Sequence, residues 1–230
     1  MSGGRTILAT APLRGPGLEV LRELGEVVLD PWIDHTPLRI LGADALAERI
    51  REVGASAVIC EADECKGPVL DLPLEAIGST RGDPTNVDVE AATEAGIPVL
   101  RAPGRNADAV AELAVGLLLA ATRGIVAADH DVRDGEIFRD GTIPYQRFRA
   151  WQVAGRTAGL VGLGAVGRAT AWRLEGLGMR VITCDPFADD ATHDLDGLLA
   201  EADVVSMHAA VTPDTHRMVA AEQFAAMRPG

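Results

Sequence analysis

The sequence predicts an α/β protein made of two bodies, each a parallel sheet wrapped by helices. Three observations predict it. Short apolar runs alternate with helical patterns along most of the chain, the order that favours parallel strands joined by helical crossovers. The alternation lapses between residues 133 and 152 and restarts at Arg156. The chain has 230 residues, 47 % of them apolar, enough for roughly one large or two small cores. Only 3 % are aromatic, so Ala, Val, Leu and Ile must build those cores.

In the first body, residues 6–10, 27–29, 57–60, 76–80 and 98–101 read as strands. Helices fit 18–24, with Leu18, Leu21 and Leu24 on one face, and 44–53, with Leu46 and Ile50 four apart. A third helix, 88–95, ends at Gly96, a common C-terminal stop. Residues 108–123 are rich in Ala and Leu and apolar on most faces. Such a helix is expected to be buried, between two bodies or against a second subunit. The segment 133–152 reads as a loop; it holds Phe138, Tyr145, Phe148 and Trp151, and is expected to pack down on its surroundings. In the second body, strands fit 157–161, 181–185 and 204–208, and helices fit 165–177, 195–201 and 221–227. The boundary falls near 102–106, giving domains 1–104 and 105–230.

Composition excludes several classes. The net charge of −13 lacks the positive field that holds nucleic acid or an anionic membrane surface. The longest candidate membrane run, 113–122, is half the length of about 20 residues that a bilayer requires. The N-terminus lacks a signal-peptide pattern, and three cysteines (Cys60, Cys65 and Cys184) make no disulfide framework. A cytoplasmic location is expected. Glu61, Asp63, Glu64 and Cys65 cluster after a strand, but the cysteines are not at C-x-x-C spacing and the five histidines are scattered. We expect no metal there, only a solvated acidic loop with one buried Cys. No G-x-S-x-G elbow supports a serine nucleophile.

The strongest local signal runs from Gly159 to Arg168. Gly162, Gly164 and Gly167 satisfy G-x-G-x-x-G between an apolar strand and a helical pattern. The first glycine permits a tight turn, the second lets backbone approach a pyrophosphate, and the third lets helix pack on strand. The N–H groups of Ala165, Val166 and Gly167 would open the helix and hold negative charge. Asp185 follows at the end of the next strand, where a carboxylate accepts from a ribose and repels a 2′-phosphate. These residues point to NAD rather than NADP; the other reading is a tight strand–helix turn that binds something else.

Three segments resemble one family, the D-isomer-specific 2-hydroxyacid dehydrogenases, over residues 50–230. The first is the loop from Arg81 to Asp88, followed by Glu90-Ala91-Ala92 and Gly96-Ile97-Pro98-Val99. The second is Pro103-Gly104-Arg105-Asn106 with Ala111-Glu112. The third is Val161 to Arg168, with Asp185-Pro186 and His208 to Thr215. The resemblance implies a flavodoxin-like substrate domain over 1–104, then an incomplete Rossmann dinucleotide-binding domain over 105–230, with the active site between them. It implies hydride transfer between NAD and a small 2-hydroxy or 2-oxo acid, and a homodimer formed through helix 108–123.

Within that likeness, Arg81 and Gly82 belong to the loop whose N–H groups meet the substrate carboxylate. Arg81 either adds a charge-assisted contact or pairs on the surface with Asp83 or Asp88. Asn106 is a helix cap or a cleft contact, and Arg105 a solvated charge. Gly162, Gly164, Ala165, Val166, Gly167, Asp185, His208 and Ala209 line the cofactor. The family's catalytic Arg, Glu and His match nothing here and are expected downstream of Gly230. Three strands in the second body, where about six are usual, agree with an N-terminal fragment. The other reading is an NAD-binding sensor or corepressor-like interaction protein without turnover.

Overall fold

A computed structural model describes residues 4–229. It forms two compact units that divide between Arg105 and Asn106. In the first, β1 (Thr6–Ala9), β2 (Glu26–Leu29), β3 (Ala57–Cys60), β4 (Ala76–Ser79) and β5 (Val99–Leu100) form one sheet. All pairs are parallel and the order is β2-β1-β3-β4-β5. That is the flavodoxin-like order.

Helices α1 (Pro16–Leu24), α2 (Ala43–Val53) and α3 (Val89–Glu94) supply the crossovers. Leu46, Ala47 and Ile50 of α2 share the core with Leu8, Val58 and Ile77 of the strands, as their helical spacing requires. α2 stops at Gly54, which takes the left-handed conformation. Asp88 caps α3, accepting from the Ala91 N–H at 3.0 Å. The pairing of Cys60 with Ser79 sets the C-terminal ends of β3 and β4 side by side. The loops after them, carrying Glu61 and Arg81, therefore meet.

The second unit begins with α4 (Ala107–Thr122), α5 (Ile125–Arg133) and α6 (Pro144–Arg147). Then come β6 (Thr157–Val161), α7 (Ala165–Gly176), β7 (Arg180–Cys184), α8 (Leu195–Glu201), β8 (Val204–Met207) and α9 (Ala221–Ala226). The parallel order is β7-β6-β8, with every residue of the central β6 buried. Val161, Ile182, Leu198, Leu199 and Ala202 form one core cluster; Ala158, Leu160, Leu174 and Met179 form another. A Cβ on Gly159 would lie 2.5 Å from the Leu198 side chain, so α8 packs on β6 where only a hydrogen fits. Thr192 and His193 run beside β7, both donating to the Thr183 carbonyl.

Within this chain helix α4 is covered on one face: Ala111 is fully buried, while Leu113 and Leu117 are each 61 % exposed. One face rests on α7, where Val115 and Leu118 join Leu174 and where Arg173 pairs with Asp108 and Glu112. The opposite face is left open. The segment 133–152 departs from the expected loop: it holds the short helix α6, and of its aromatics Phe138 and Tyr145 are 75 % and 82 % exposed while Phe148 is partly buried. A polar clamp orders it. Arg147 donates to Asp131 at 2.7 Å and to the Ile137 carbonyl at 2.8 Å, and Arg139 also pairs with the buried Asp131. Charged groups at such low exposure persist only when paired and hydrogen-bonded.

Candidate functional site

The turn from β6 into α7 carries the densest set of constraints. Gly162 adopts φ 97°, and a Cβ there would lie 2.5 Å from the Ala209 nitrogen and 2.6 Å from the His208 carbonyl carbon. Only glycine serves on both counts. A Cβ on Gly167 would lie 2.1 Å from the Gly162 carbonyl oxygen, so α7 could not approach β6. Gly164 differs: a Cβ there meets nothing within 4 Å. The space beside it is open, and no side chain caps α7. A hollow lined in part by Gly164 lies there, and the first-turn N–H groups of an uncapped helix are donors that an anion can take.

Asp185 closes the other side of the hollow. One carboxylate oxygen accepts from the Leu163 N–H at 2.7 Å and the other from the Phe187 N–H at 2.9 Å. Two backbone donors thus hold the carboxylate still, and each oxygen keeps a lone pair for a ribose hydroxyl. The cleft, about 540 Å³, is lined by Leu163, Gly164, Arg168, Asp185 and residues 187–190. Arg168 is engaged by both oxygens of Asp190, at 2.6 and 2.8 Å, which raises the arginine's pKa and lowers the aspartate's. Asp185 and Asp189 then leave the rim negative.

His208 and Ala209 follow β8, on the side of β6 away from β7, at the point where strand order reverses. Crevices at such points are where α/β sheets bind ligands. His208 is half-buried, and its Nε2 lies 3.0 Å from the Ser206 Oγ. Burial lowers its pKa, which keeps the imidazole neutral near pH 7. Ala209 is partly buried against the Val161 cluster. The structure thus brings Gly162, Gly164, Ala165, Val166, Gly167, Asp185, His208 and Ala209 around one turn. The backbone donors of Leu163 and Phe187 escaped sequence reasoning, because any residue could supply them.

Arg81 and Gly82 lie after β4 in the other unit. Arg81 pairs with neither Asp83 nor Asp88. Its Nε donates to the Glu61 carbonyl at 2.7 Å and its Nη1 to the Thr85 hydroxyl at 3.0 Å. Arg105 is exposed, as expected of a solvated charge, and its guanidinium also pairs with the Glu61 carboxylate. Glu61 therefore organises both arginines, a role its sequence position hides. A Cβ on Gly82 would come within 3.2 Å of the Pro103 Cα, so that loop lies close to residues 102–104.

Two smaller readings change. Asn106 makes no side-chain cap bond; its carbonyl accepts from the Val110 N–H. The loop after β3 holds one buried cysteine, Cys65, as expected, but it is not simply solvated, because Asp63 is fully buried as well. Among the described residues no group of three or more His, Cys, Asp or Glu is placed to hold a metal ion.

A glycine turn, an uncapped helix and a fixed carboxylate at the next strand's end define a dinucleotide-binding domain. Comparison with known proteins carries this further. Residues 115–230 match the family model described as D-isomer specific 2-hydroxyacid dehydrogenase, NAD binding domain. A glyoxylate reductase of Thermococcus litoralis is 33 % identical over 97 % of this chain and 69 % of its own. A D-3-phosphoglycerate dehydrogenase of Methanocaldococcus jannaschii is 33 % identical over 96 % of this chain, which spans only 42 % of that protein. The crystal structure of the TT0316 protein from Thermus thermophilus superposes with a TM-score of 0.82 at 34 % identity, covering 98 % of this chain and 71 % of its own. The chain belongs to the D-isomer specific 2-hydroxyacid dehydrogenase family, and the cofactor of its Rossmann-type domain is NAD.

Proposed function

We propose that this chain supplies the NAD-binding domain (105–230) and the N-terminal part of the substrate domain (1–104) of an enzyme that interconverts a 2-hydroxy acid and its 2-oxo acid. The observation that carries the reading is the open, uncapped start of α7 at Gly164, facing the fixed carboxylate of Asp185.

In this reading the first-turn N–H groups of Ala165, Val166 and Gly167 hold the diphosphate. Asp185 accepts from the adenine-side ribose. His208 and Ala209 line the far side, the neutral imidazole adding bulk and a hydrogen bond without charge. Bound NAD supplies the hydride acceptor. Arg81, steadied by the Glu61 carbonyl and by Thr85, presents positive charge beside the backbone of Gly82, a pairing suited to a carboxylate. The proton-transferring His, its Glu partner and a further Arg would come from chain beyond these residues, so the 230 residues alone bind without turning over. Two apolar hollows of about 460 Å³, one beside β8 and α4 and one against the first sheet, support further chain packing here.

The test has two parts. NADH titrated into the chain is expected to bind, with no oxidation in the presence of a panel of 2-oxo acids that includes glyoxylate. Coding DNA past the Gly230 codon is expected to stay open through an Arg, then a Glu and a His, and that longer protein is expected to turn over. A longer protein that binds NADH yet reduces no 2-oxo acid would instead favour the sensor reading.

The exposed face of α4 supports a homodimer. Leu113 and Leu117 lie four residues apart on it, and Ile125, Val126 and Val132 of α5 are also exposed. Light scattering is expected to give twice the monomer mass at micromolar concentration. Leu117→Asp is expected to give monomers with NADH affinity unchanged, and a wild-type monomer would refute the assignment. Among the described residues no single helix is long and apolar enough to cross a membrane. The three free thiols and the acidic surface support a cytoplasmic protein.

A further inference from the structure

We propose that Cys60 and Cys65 are a redox-active dithiol that peroxide converts to an intramolecular disulfide beneath the loop carrying Glu61. The two sulfurs lie 3.3 Å apart, though neither residue is exposed at all. Closing to a bond of about 2.05 Å is a short movement. Both backbones are anchored. Cys60 ends β3, and Cys65 bridges to Val87, donating its N–H to the Asn86 carbonyl at 2.9 Å and accepting from the Asp88 N–H at 3.1 Å.

The sulfurs lie among buried polar groups rather than in a purely apolar core. Asn86 Nδ2 donates to Cys60 Sγ at 3.2 Å and to the Asp63 carbonyl at 3.0 Å, and its oxygen accepts from the Ser79 hydroxyl at 3.1 Å. Asp63 is fully buried: one carboxylate oxygen accepts from the Leu41 N–H at 2.7 Å, and the other has no partner. A buried polar atom left unpaired is unfavourable, and such atoms gather where structure serves a purpose other than stability.

The hydrogen bonds divide the labour. Asn86 Nδ2 donates to the Cys60 sulfur, whereas the Cys60 sulfur, burial and the nearby Asp63 carboxylate push the Cys65 thiol up, so negative charge is better held on Cys60. Cys60 is therefore the nucleophile. Its thiolate attacks one peroxide oxygen; the O–O bond breaks and the first water leaves, giving a sulfenic acid. The Cys65 sulfur then attacks the Cys60 sulfur, the S–O bond breaks, and a second water leaves with the Cys65 proton. Two thiols lose two electrons and two protons in all, and one peroxide is reduced to two waters.

The consequence for the loop rests on the proposed role of Arg81; the disulfide itself does not. The bridge closes a ring over residues 61–64. Glu61 lies in that ring and holds both Arg81 and Arg105. Oxidation would thus reset the two arginines while leaving the β6–α7 turn untouched.

Peptide mapping tests it on the intact chain. Trypsin releases residues 52–66, which hold both cysteines and exclude Cys184. After dilute hydrogen peroxide, acid quench and alkylation under denaturing conditions, this peptide is expected unalkylated and about 2 Da lighter, with dithiothreitol restoring two alkylations. In Cys65→Ser, a dimedone adduct on Cys60 is expected instead. If that variant fails to fold, the wild-type map still decides. A peptide that stays fully reduced while Cys184 oxidises overturns the proposal, as does Cys60 passing straight to sulfinic acid. NADH affinity measured on the same oxidised sample is expected to be unchanged, so a failed disulfide is distinguishable from a failed cofactor assignment.

Discussion

Gly164→Val is expected to weaken NADH binding severely while leaving the protein folded, and Gly167→Ala to destabilise the turn itself. The two glycines lie three apart in one motif, yet their neighbours differ. At Gly164, φ is −72°, ordinary for any residue, and the space where a side chain would grow is empty. Valine there loses only the modest N-cap preference of glycine, about 1 kcal/mol or less. Its methyl groups would occupy the hollow at the helix terminus, and NADH affinity is expected to fall at least about 100-fold, roughly 3 kcal/mol of binding. At Gly167 a methyl group would overlap a backbone oxygen, which cannot rotate away. Overpacking against backbone is expected to remove about 3 kcal/mol of stability. Thermal melts and a fluorescence titration with NADH separate the two. If Gly164→Val binds NADH as the parent does, the start of α7 does not cradle the diphosphate.

The second large effect is on cofactor choice. The parent chain is expected to bind NADH about 100-fold more tightly than NADPH, because the proposed ribose partner, Asp185, is a carboxylate held in place by two backbone donors. Asp185→Asn keeps the shape and removes the charge. NADH is expected to weaken about tenfold, as a charge-assisted hydrogen bond becomes a neutral one. NADPH is expected to gain, since a like-charge contact disappears. Adding Asp190→Asn frees Arg168 from its bidentate partner, and the double variant is expected to prefer NADPH. Calorimetric titration of both cofactors measures the ratio directly. Tighter NADPH binding by the parent would sink the assignment of Asp185.

The glycine turn was legible because each of its constraints is local. A positive φ at Gly162 and the close approach at Gly167 follow from steric limits within a few residues of strand, turn and helix. The strand–helix alternation was legible for the same reason. The strands expected at 57–60 and 157–161 and the helix at 195–201 coincide with β3, β6 and α8. Helix α5 was missed, because its mixed apolar and charged residues follow an Arg-Gly break that reads as the start of a loop.

The family, the two parallel sheets and the glycine turn could be read from residue order alone, since periodicity and glycine placement act over short stretches of chain. What Glu61, Asp63, the cysteine pair and the outer face of α4 do became visible only in three dimensions. Glu61 reaches Arg81 across 20 residues and Arg105 across 44, and Asn86 reaches Cys60 across 26. Such pairings depend on which strand ends the sheet order brings together, and no local pattern records that. The exposure of Leu113 and Leu117 is set in the same way, by which face of α4 finds α7 to pack against.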